Sequence, residues 1–475
     1  MNKIIKISFL SLIVGIGAIS CSRDFVETEF HQSIEQRPLE SVAEMNSFVN
    51  GAYASMRSAT YYGCDFLAYG EVRSDEMISN LAAGYYTTVM NYAMTSNDPY
   101  ANNTYNQIYT MIAKVNTVIN TDVNKIQGTD LDRQDAYYAQ GQAYGLRAIG
   151  FFDLFRLYGQ KYTGGTLGIV LPLEYDPKAL MPRATIEQTE AQIESDFEKA
   201  LDMMTTYNRG GGKTELTLNA LKGMMSRYYL YKGDYAKVRT LTNDLHGRYS
   251  IASPELLQVT FGFTMNGAAP NSIFELAVGI NSSLSTSSYR YKLSANGYGN
   301  LVVNASTYAK YADNDVRKAL ITPYNGSYYL SFNANGKYTQ QVGADNIKML
   351  RYEEIILNGV EAELNGGSPT KALAYYKELL GNRLLPITDD DGNVVSSVQD
   401  QLNAITSVDM DMLKEERMKE LLGEGLRQWD LRRWGDPVPR PAIANPDPNL
   451  NAFPIPRHET DIAGTPVVSN PGYDN

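Results

Sequence analysis

Apolar residues recur every three or four positions along several long stretches of the chain, and this spacing is typical of one face of an α-helix. The stretches run over residues 41–56, 104–119, 132–158 and 185–204. In the first of them Ser41 precedes the apolar positions and Glu44 follows three residues later, a pattern that marks a helix start. The stretch over 132–158 is apolar on several faces, so we expect this helix to be deeply packed.

Two other segments, 215–246 and 347–382, each predict a pair of helices joined by a short turn. Both carry a glycine followed by three helix positions at offsets of 5, 4 and 3: Gly233, Val238, Thr242 and Leu245 in the first, and Gly367, Ala372, Tyr376 and Leu379 in the second. This is the spacing of the second half of a tetratricopeptide unit, in which a small residue allows two helices to approach. Repeat scaffolds of this kind bind partners on extended surfaces. Two unrelated helix pairs are the alternative.

Three regions lack a long helical period and are rich in turn-forming residues, namely those near 60–103, 250–346 and 385–405. We predict that they are loop-rich insertions. Leu167–Leu171 is a candidate for a short strand, and 409–434 is predicted as one charged amphipathic helix. The pattern therefore predicts a mainly α fold with an irregular loop-rich part and a few short strands.

The first twenty residues resemble an export signal. Two lysines form a positive start, an apolar run too short to span a membrane comfortably extends over residues 7–19, and small residues precede Cys21. Ala18 departs from the lipoprotein pattern, which usually has leucine three places before the cysteine. An ordinary secretory signal that happens to end near a cysteine is the alternative. We predict a lipoprotein signal peptide over 1–20, lipidation of Cys21, a polar tether over 21–40 and a single domain over 41–475.

The composition limits the classes of partner and of binding site that we expect for this protein. A net charge of −11 argues against nucleic acid or an anionic membrane surface as a partner, since both favour a basic protein. The cysteines are Cys21 and Cys64, so lipidation of Cys21 leaves Cys64 as a lone thiol. The 3 histidines show no metal-ligand or catalytic-triad spacing, and no glycine-rich phosphate loop is present. We expect no cofactor, no metal and no nucleic-acid partner.

Paired carboxylates offer no clear catalytic arrangement in the sequence. Glu353 and Glu354 are adjacent on a predicted helix and therefore diverge in direction. Glu424, Arg427 and Asp430 lie at positions i, i+3 and i+6 and are expected to form a structural ion-pair network. Because carboxylates from distant segments can still meet as a glycosidase pair, a carbohydrate-active enzyme stays the less favoured alternative to a protein without catalytic activity.

Tyrosine dominates the aromatic residues, with 35 Tyr against 14 Phe and 2 Trp. Its flat ring and hydroxyl suit a wet contact with a polar, ring-shaped ligand, and loops on a rigid scaffold are where binding sites usually lie. Two loop segments mix such rings with amides, carboxylates and guanidinium groups. The predicted ligand contacts are Arg73, Asp75, Tyr85, Tyr86, Asn97, Tyr100 and Asn102 in the first segment, and Tyr289, Tyr291 and Tyr298 in the second. Ordinary solvated loop chemistry is the alternative.

Four stretches of the sequence form a set of motifs that runs from one end of the chain to the other. The first is the signal that ends at Cys21, and the second is AYGLRA over 143–148 followed by FRLYG over 155–159. The third is the most specific and consists of ERMKEL over 416–421, EGLR over 424–427 and DLRRWG over 430–435. The fourth is PIP over 454–456, followed by Glu459. Together these stretches resemble the SusD/RagB family of Bacteroidota surface lipoproteins.

The resemblance implies a fold of about four tetratricopeptide-like helix pairs with an irregular lobe laid over them. It implies a cell-surface lipoprotein of the outer membrane that pairs with a TonB-dependent transporter of the SusC type. The implied ligand is an oligosaccharide, or a peptide in the RagB branch, bound without catalysis. One departure is that Ser22–Glu27, just after the cysteine, is only weakly acidic, whereas surface lipoproteins of these bacteria usually carry an acidic cluster there.

Overall fold

The computed structural model describes residues 37–176, 178–261, 269–340 and 342–473. The predicted signal peptide, the predicted lipidation at Cys21 and the tether as far as residue 36 lie outside the described residues. From Leu39 onward the chain forms one structural unit.

Helices form the frame of this unit, and several begin at the capping residues that the sequence predicts. Ser41 Oγ accepts a hydrogen bond from the backbone N–H of Glu44 at 3.3 Å, and Thr185 Oγ1 accepts one from Gln188 at 3.1 Å. The helices of the first half are α1 (Val42–Met56), α2 (Asp65–Val72), α3 (Thr87–Met90), α4 (Pro99–Ile119), α5 (Asp130–Tyr158), α6 (Ile186–Thr206), α7 (Leu218–Lys232) and α8 (Tyr235–Leu245). Those of the second half are α9 (Tyr289–Leu293), α10 (Ala305–Tyr308), α11 (Tyr352–Leu364), α12 (Pro369–Leu380), α13 (Val398–Ala404), α14 (Met410–Leu421), α15 (Arg427–Trp434) and α16 (Arg457–Thr460).

The long helices pack as successive pairs: α1 with α4, α5 with α6, α7 with α8, and α11 with α12. Neighbouring pairs touch through α4 and α5, through α6 and α7, and through α8 and α11, so the pairs stack in chain order. This arrangement confirms the predicted mainly α scaffold of tetratricopeptide-like helix pairs.

The two predicted helix pairs meet at the residues of the repeat. Gly233 ends α7 with a φ of +85°, a left-handed conformation that glycine adopts without steric cost, and Asp234 then caps α8. Gly359 of α11 faces Thr242 of α8, where an added Cβ would lie only 2.6 Å from the threonine methyl group. A glycine at this point therefore allows the second pair to pack closely on the first.

Short strands form an irregular lobe beside the helices. They are β1 (Met77–Ser79), β2 (Ser272–Leu276), β3 (Leu301–Val303), β4 (Thr322–Tyr324), β5 (Ser327–Tyr329), β6 (Ser331–Phe332), β7 (Asn335–Gly336), β8 (Ile347–Arg351), β9 (Ile387–Thr388) and β10 (Val394–Ser396). One sheet has the order β1-β3-β5-β4, and the pairs β2–β8, β6–β7 and β9–β10 are separate; all of these pairings are antiparallel. Single 3₁₀ turns cover Val123–Lys125, Val259–Phe261, Ile280–Ser282, Ser285–Ser287, Val316–Leu320 and Pro448–Asn451.

The region near 60–103 is more regular than its composition predicts. It contains α2 and α3, and α4 begins at Pro99 rather than at Thr104. Every residue of α2 from Phe66 to Val72 is buried, so this part of the helix has no solvent-exposed face and leaves no amphipathic period in the sequence.

The helix predicted over 409–434 is wrong as one element, because it divides into α14 and α15. Gly423 and Gly425 separate the two helices with φ values of +76° and +77°. The strand predicted at Leu167–Leu171 is also wrong, since Leu167 forms only an isolated bridge to Thr185. The predicted loop over 385–405 contains the hairpin β9–β10 and the helix α13.

The three charged residues predicted to pair with one another form ion pairs with other partners. Glu424 pairs with Arg351 at 2.7 Å, Arg427 with Asp75 at 2.7 Å, and Asp430 with Arg417 at 2.9 Å. The prediction assumed one continuous helix, and the break before α15 turns these side chains towards different neighbours. Their structural role is confirmed, whereas their mutual pairing is wrong.

A buried carboxylate joins the lobe to the helices. Glu420 of α14 accepts hydrogen bonds from Arg383 at 2.8 Å, Arg351 at 3.0 Å and Arg317 at 3.1 Å. Burial by itself raises the pKa of Glu420, but the three guanidinium charges outweigh burial and hold the pKa well below its usual range. The carboxylate is therefore ionised and fully paired inside the protein.

Crossing a membrane and holding a metal ion each require a specific arrangement of residues. Within the described residues, no helix combines the length and the apolar character that crossing a bilayer requires. In the same part of the chain, no group of three or more His, Cys, Asp and Glu side chains is arranged to hold a metal ion.

Replacing one member of the Glu420 cluster should lower the unfolding free energy of the protein far more than replacing an exposed charged residue. Arg383→Met leaves a buried carboxylate with a missing partner, which we expect to cost about 3–5 kcal/mol of unfolding free energy. Lys310→Met is the matched control, since Lys310 and its partner Glu415 are 47% and 41% exposed, and it should cost less than about 1 kcal/mol. Urea denaturation measures both, and equal losses in the two variants would contradict the prediction.

Candidate functional site

A short strand pairing brings together the two loop segments that contain the predicted ligand contacts. β1 and β3 are antiparallel, with Met77 opposite Val303 and Ser79 opposite Leu301. The segment that follows β1 therefore lies beside the segment that precedes β3. Asn80 extends the pairing, because its side-chain amide donates to the carbonyl of Gly299 at 2.8 Å.

Three tyrosines from these two segments form one aromatic cluster, which we name the tyrosine surface: Tyr85, Tyr291 and Tyr298. The ring centroids of Tyr85 and Tyr298 are 4.8 Å apart, and those of Tyr291 and Tyr298 are 5.0 Å apart with nearly perpendicular planes. Tyr298 is 38% exposed, and Tyr85 and Tyr291 are half-buried. The cluster thus places partly exposed aromatic side chains at the protein surface.

A buried lysine lies against the inner side of the tyrosine surface. The Nζ atom of Lys292 is 3.2 Å from the ring centroid of Tyr85 and 4.3 Å from that of Tyr298. Burial lowers the pKa of the Lys292 ammonium below its ordinary value, although the nearby side chains of Cys64, Tyr298 and Asp65 oppose this effect. Attraction between the cation and the two ring faces fixes the tyrosines relative to each other.

A hydrogen-bonded layer supports the cluster from within the protein. Tyr86 donates its hydroxyl to Asp65 Oδ1 at 2.7 Å, and its ring stacks on Tyr100 with centroids 5.0 Å apart. The thiol of Cys64 lies 3.1 Å from the same tyrosine oxygen. Burial raises the pKa of Asp65 to about 6, against the opposing effects of the Tyr86 hydrogen bond and the Lys292 charge.

The loop between β1 and α3 has an unusual backbone conformation. Leu81 and Tyr86 have φ values of +65° and +61°, in the left-handed region that non-glycine residues seldom adopt. Ser79 closes this loop by donating its hydroxyl to the carbonyl of Tyr85 at 2.8 Å. Strained residues held in this way are concentrated at functional sites, so the loop supports the choice of the tyrosine surface as the candidate site.

Two sequence profiles match the chain, one over most of its first half and the other over most of its second half. A profile described as SusD-like_3, "Starch-binding associating with outer membrane", matches residues 24–230, and a profile described as the SusD family matches residues 285–466. Together the two matches cover most of the sequence. The chain belongs to the SusD family.

Two SusD-like proteins from Formosa agariphila are similar to this SusD-family chain. SusD-like protein P38 is 22% identical over 91% of this chain and 91% of its own length. SusD-like protein P2 is 23% identical over 98% of this chain and 99% of its own length. The similarity therefore spans nearly the entire sequence in both cases.

Solved structures share the fold of this SusD-family chain. A SusD superfamily protein from Bacteroides thetaiotaomicron has a TM-score of 0.76 at 23% identity, covering 91% of this chain and all of that structure, 100%. The surface glycan-binding protein A from Bacteroides fluxus has a TM-score of 0.66 at 18% identity, covering 92% of this chain and 100% of its own. At these identities the likeness concerns the fold.

The predicted contacts of this SusD-family protein fall into an exposed group and a buried group. Arg73 is fully buried, where its Nε donates to the carbonyl of Val89 at 2.8 Å and its guanidinium lies 4.0 Å from the ring of Tyr92. Tyr289 is also buried and packs edge-on against Tyr338. These internal contacts, like those of Tyr86, place the side chains below the surface that a ligand can reach.

The remaining predicted contacts do not form one group with the cluster, since Asp75 precedes β1 and lies at the opposite end of this strand from Tyr85. Asp75 is partly exposed and accepts two hydrogen bonds from Arg427, at 2.7 and 2.8 Å. Asn97 is exposed and Asn102 is half-buried, both near the start of α4. Tyr100, in the same stretch, reaches the cluster through its stacking on Tyr86.

Sequence reasoning missed the residues that hold the tyrosines in place. Lys292 lies between Tyr291 and Leu293 in the sequence, and this pattern does not indicate that its ammonium lies against the rings of two tyrosines. Asp65 lies in a segment that composition assigned to a loop. The one available signal is the short aliphatic run Leu301–Val303, which contains two β-branched valines, follows the second tyrosine segment and forms β3.

The buried carboxyl of Asp65 gives the support layer a distinct pH dependence. Its folded-state pKa of about 6 lies above that of an unfolded chain, so its contribution to stability is complete below about pH 4 and is lost as the pH rises through about 6. We expect Asp65→Asn to remove this loss, which amounts to about 3 kcal/mol for a shift of about two units. Urea unfolding of both proteins at pH 4 and pH 7 measures the difference.

The exposed turn residue Asp390 supplies the control for this measurement. Asp390→Asn should keep the pH dependence of the parent protein, because the side chain is exposed. If the gap in stability between the parent and Asp65→Asn were the same at both pH values, the assignment would be wrong.

Proposed function

We propose that this chain is a cell-surface lipoprotein that binds an oligosaccharide on the tyrosine surface and delivers it to a TonB-dependent outer-membrane transporter of the SusC type. The observation that carries the proposal is the meeting of Tyr85, Tyr291 and Tyr298 at the solvent-facing end of the β1–β3 pairing. Membership of the SusD family supports it.

The chemistry of the tyrosine surface suits a sugar. The apolar face of a pyranose packs on an aromatic ring, and its hydroxyls need donors and acceptors around the ring. The tyrosine surface supplies hydroxyls. Asn296, which lies between Tyr291 and Tyr298 in the sequence, adds an exposed amide that donates to Asn333 Oδ1 at 2.7 Å. The perpendicular rings of Tyr291 and Tyr298 offer two orientations for stacking, which fits a bent polymer better than a flat molecule.

Binding without cleavage is the expected mode. A glycosidase needs two carboxyl groups facing one bond, at a separation of roughly 5–10 Å. Asp65, the carboxyl nearest to the tyrosine surface in the contacts described above, is buried and bonded to Tyr86 beneath the rings. Glu353 and Glu354 point apart into ion pairs with Arg383 and Arg227, at 3.0 and 2.6 Å.

The placement at the outer membrane rests on the sequence and on the family. The stretch that ends at Cys21 has the form of a lipoprotein signal. The SusD-like profile that matches from residue 24 is described as associating with the outer membrane. The surface glycan-binding protein from Bacteroides fluxus that shares the fold is a second argument for a surface position.

Removing one exposed ring should weaken sugar binding without harming the fold. Tyr298→Ala deletes a 38% exposed ring, and we expect a loss of about 1 kcal/mol, or roughly fivefold in affinity, for the best oligosaccharide of a panel. Calorimetric titration of the parent and the variant with that oligosaccharide measures the change. Tyr298→Phe should keep more of the affinity than the alanine variant, because it retains the ring.

An exposed tyrosine elsewhere serves as the matched control. Tyr175 is 50% exposed and lies outside the tyrosine surface, so Tyr175→Ala should bind the oligosaccharide like the parent protein. Short peptides belong in the same panel, since binding of peptides alone would point to a RagB-like receptor. Sustained release of shorter sugars from any glycan would instead establish an enzyme and overturn the proposal.

The anchor can be tested separately from the ligand. Cys21→Ala removes the sulfur that the proposed lipid modifies, so the protein should move from the membrane fraction to the soluble fraction. Cell fractionation followed by immunoblotting measures the distribution. Cys64→Ala is the control, because the Cys64 thiol is buried and this variant should stay with the membrane. Membrane retention of the Cys21 variant would count against lipidation.

A further inference from the structure

A second concave site lies apart from the tyrosine surface. It is a groove of about 570 Å³ between α4, the connection that includes 170–181 and the C-terminal segment 459–467. We name it the α4 groove. Its volume is in the range of sites that bind small molecules or a few residues of a peptide. The groove and the tyrosine surface have no lining residue in common.

The floor of the α4 groove is aromatic and held by a hydrogen bond. The rings of Tyr105 and Tyr109 are 4.6 Å apart, one turn from each other on α4. Tyr109 donates its hydroxyl to the carbonyl of Val170 at 2.8 Å, which ties the 170–181 connection to the helix. The floor is therefore formed before any ligand arrives.

The mouth of the α4 groove is lined by exposed aliphatic side chains. Leu173, Leu180 and Ile462 are 39%, 47% and 44% exposed. Soluble proteins seldom expose several large apolar side chains around one concavity unless a partner covers them. Since aliphatic side chains form no hydrogen bonds, this mouth suits apolar side chains of a partner better than the hydroxyls of a sugar.

The charged side chains that line the α4 groove are all acidic. Glu174, Asp176 and Glu459 line it, and no lysine or arginine does among the described residues. Glu459 has His458 at 3.4 Å; within the described ranges, neither Glu174 nor Asp176 forms an ion pair. Such a rim repels anionic lipid headgroups and attracts ammonium or guanidinium groups.

We infer that the α4 groove docks a peptide segment of a protein partner in which apolar side chains alternate with lysine or arginine. The apolar side chains enter between Leu173, Leu180 and Ile462 and pack on the two tyrosine rings. The basic side chains meet the carboxylates at the rim. This site is separate from the ligand surface of the proposed function and does not depend on it.

Synthetic peptides of equal length test the charge and the apolar requirement together. The probes are a leucine–lysine decapeptide, a leucine–glutamate decapeptide and a serine–lysine decapeptide, each titrated into the full chain in detergent. The leucine–lysine peptide should bind at least about tenfold more tightly than either of the others, and added salt should weaken it. Equal binding of the leucine–glutamate or the serine–lysine peptide would overturn the inference.

Exposed positions of the groove supply variants that should fold normally. Leu180→Ser and Glu174→Lys should each weaken the leucine–lysine peptide by about fivefold or more. Leu131→Ser, at a leucine that is 57% exposed outside the groove, should leave peptide binding unchanged. Parent-like binding by both groove variants would place the peptide elsewhere on the acidic surface and refute the site.

Tyr298→Ala separates this inference from the proposed function. It should lose oligosaccharide affinity and keep peptide affinity, whereas Leu180→Ser should show the reverse. If the chain bound no sugar at all, the peptide titrations would still test whether the α4 groove binds a peptide. A parallel loss of peptide binding in Tyr298→Ala would contradict two independent sites.

Discussion

One buried carboxylate determines how the irregular lobe sits on the helices. Glu420 binds Arg317 from the lobe, Arg351 at the end of β8 and Arg383 just after α12, so segments distant in sequence converge on a single charge. An unpaired charge at this depth would be costly, which makes any displacement of one partner unfavourable. The lobe is consequently a fixed platform, although its strands are only two to five residues long.

The geometry of the tyrosine surface depends on the fixed position of this lobe. The sheet β1-β3-β5-β4 positions β3, and the pairing of β3 with β1 aligns the two tyrosine segments. Lys292 then fixes two rings through their faces, and the Tyr86–Asp65 hydrogen bond supports them from below. A site formed in advance loses little conformational entropy when a ligand binds, and this favours recognition of a flexible polymer.

The helical frame could be predicted because its long helices carry an apolar period and capping residues such as Ser41 and Thr185. The helix α2 could not, because burial on all sides removes the period from Phe66 to Val72. The break before α15 is marked in the sequence by Gly423 and Gly425, whose positive φ values end the first helix. Tyr85 and Tyr298 were predicted separately; their meeting depends on two three-residue strands, which are too short to show a clear alternation of apolar and polar residues.

The most direct test of the account is a crystal structure of the protein with the oligosaccharide that binds it most tightly. The account predicts a sugar ring stacked on Tyr85, Tyr291 or Tyr298, at ordinary van der Waals distance of about 4 Å, with its hydroxyls bonded to the neighbouring polar groups. A sugar bound in the α4 groove or anywhere else, with the three tyrosines left uncovered, would contradict it.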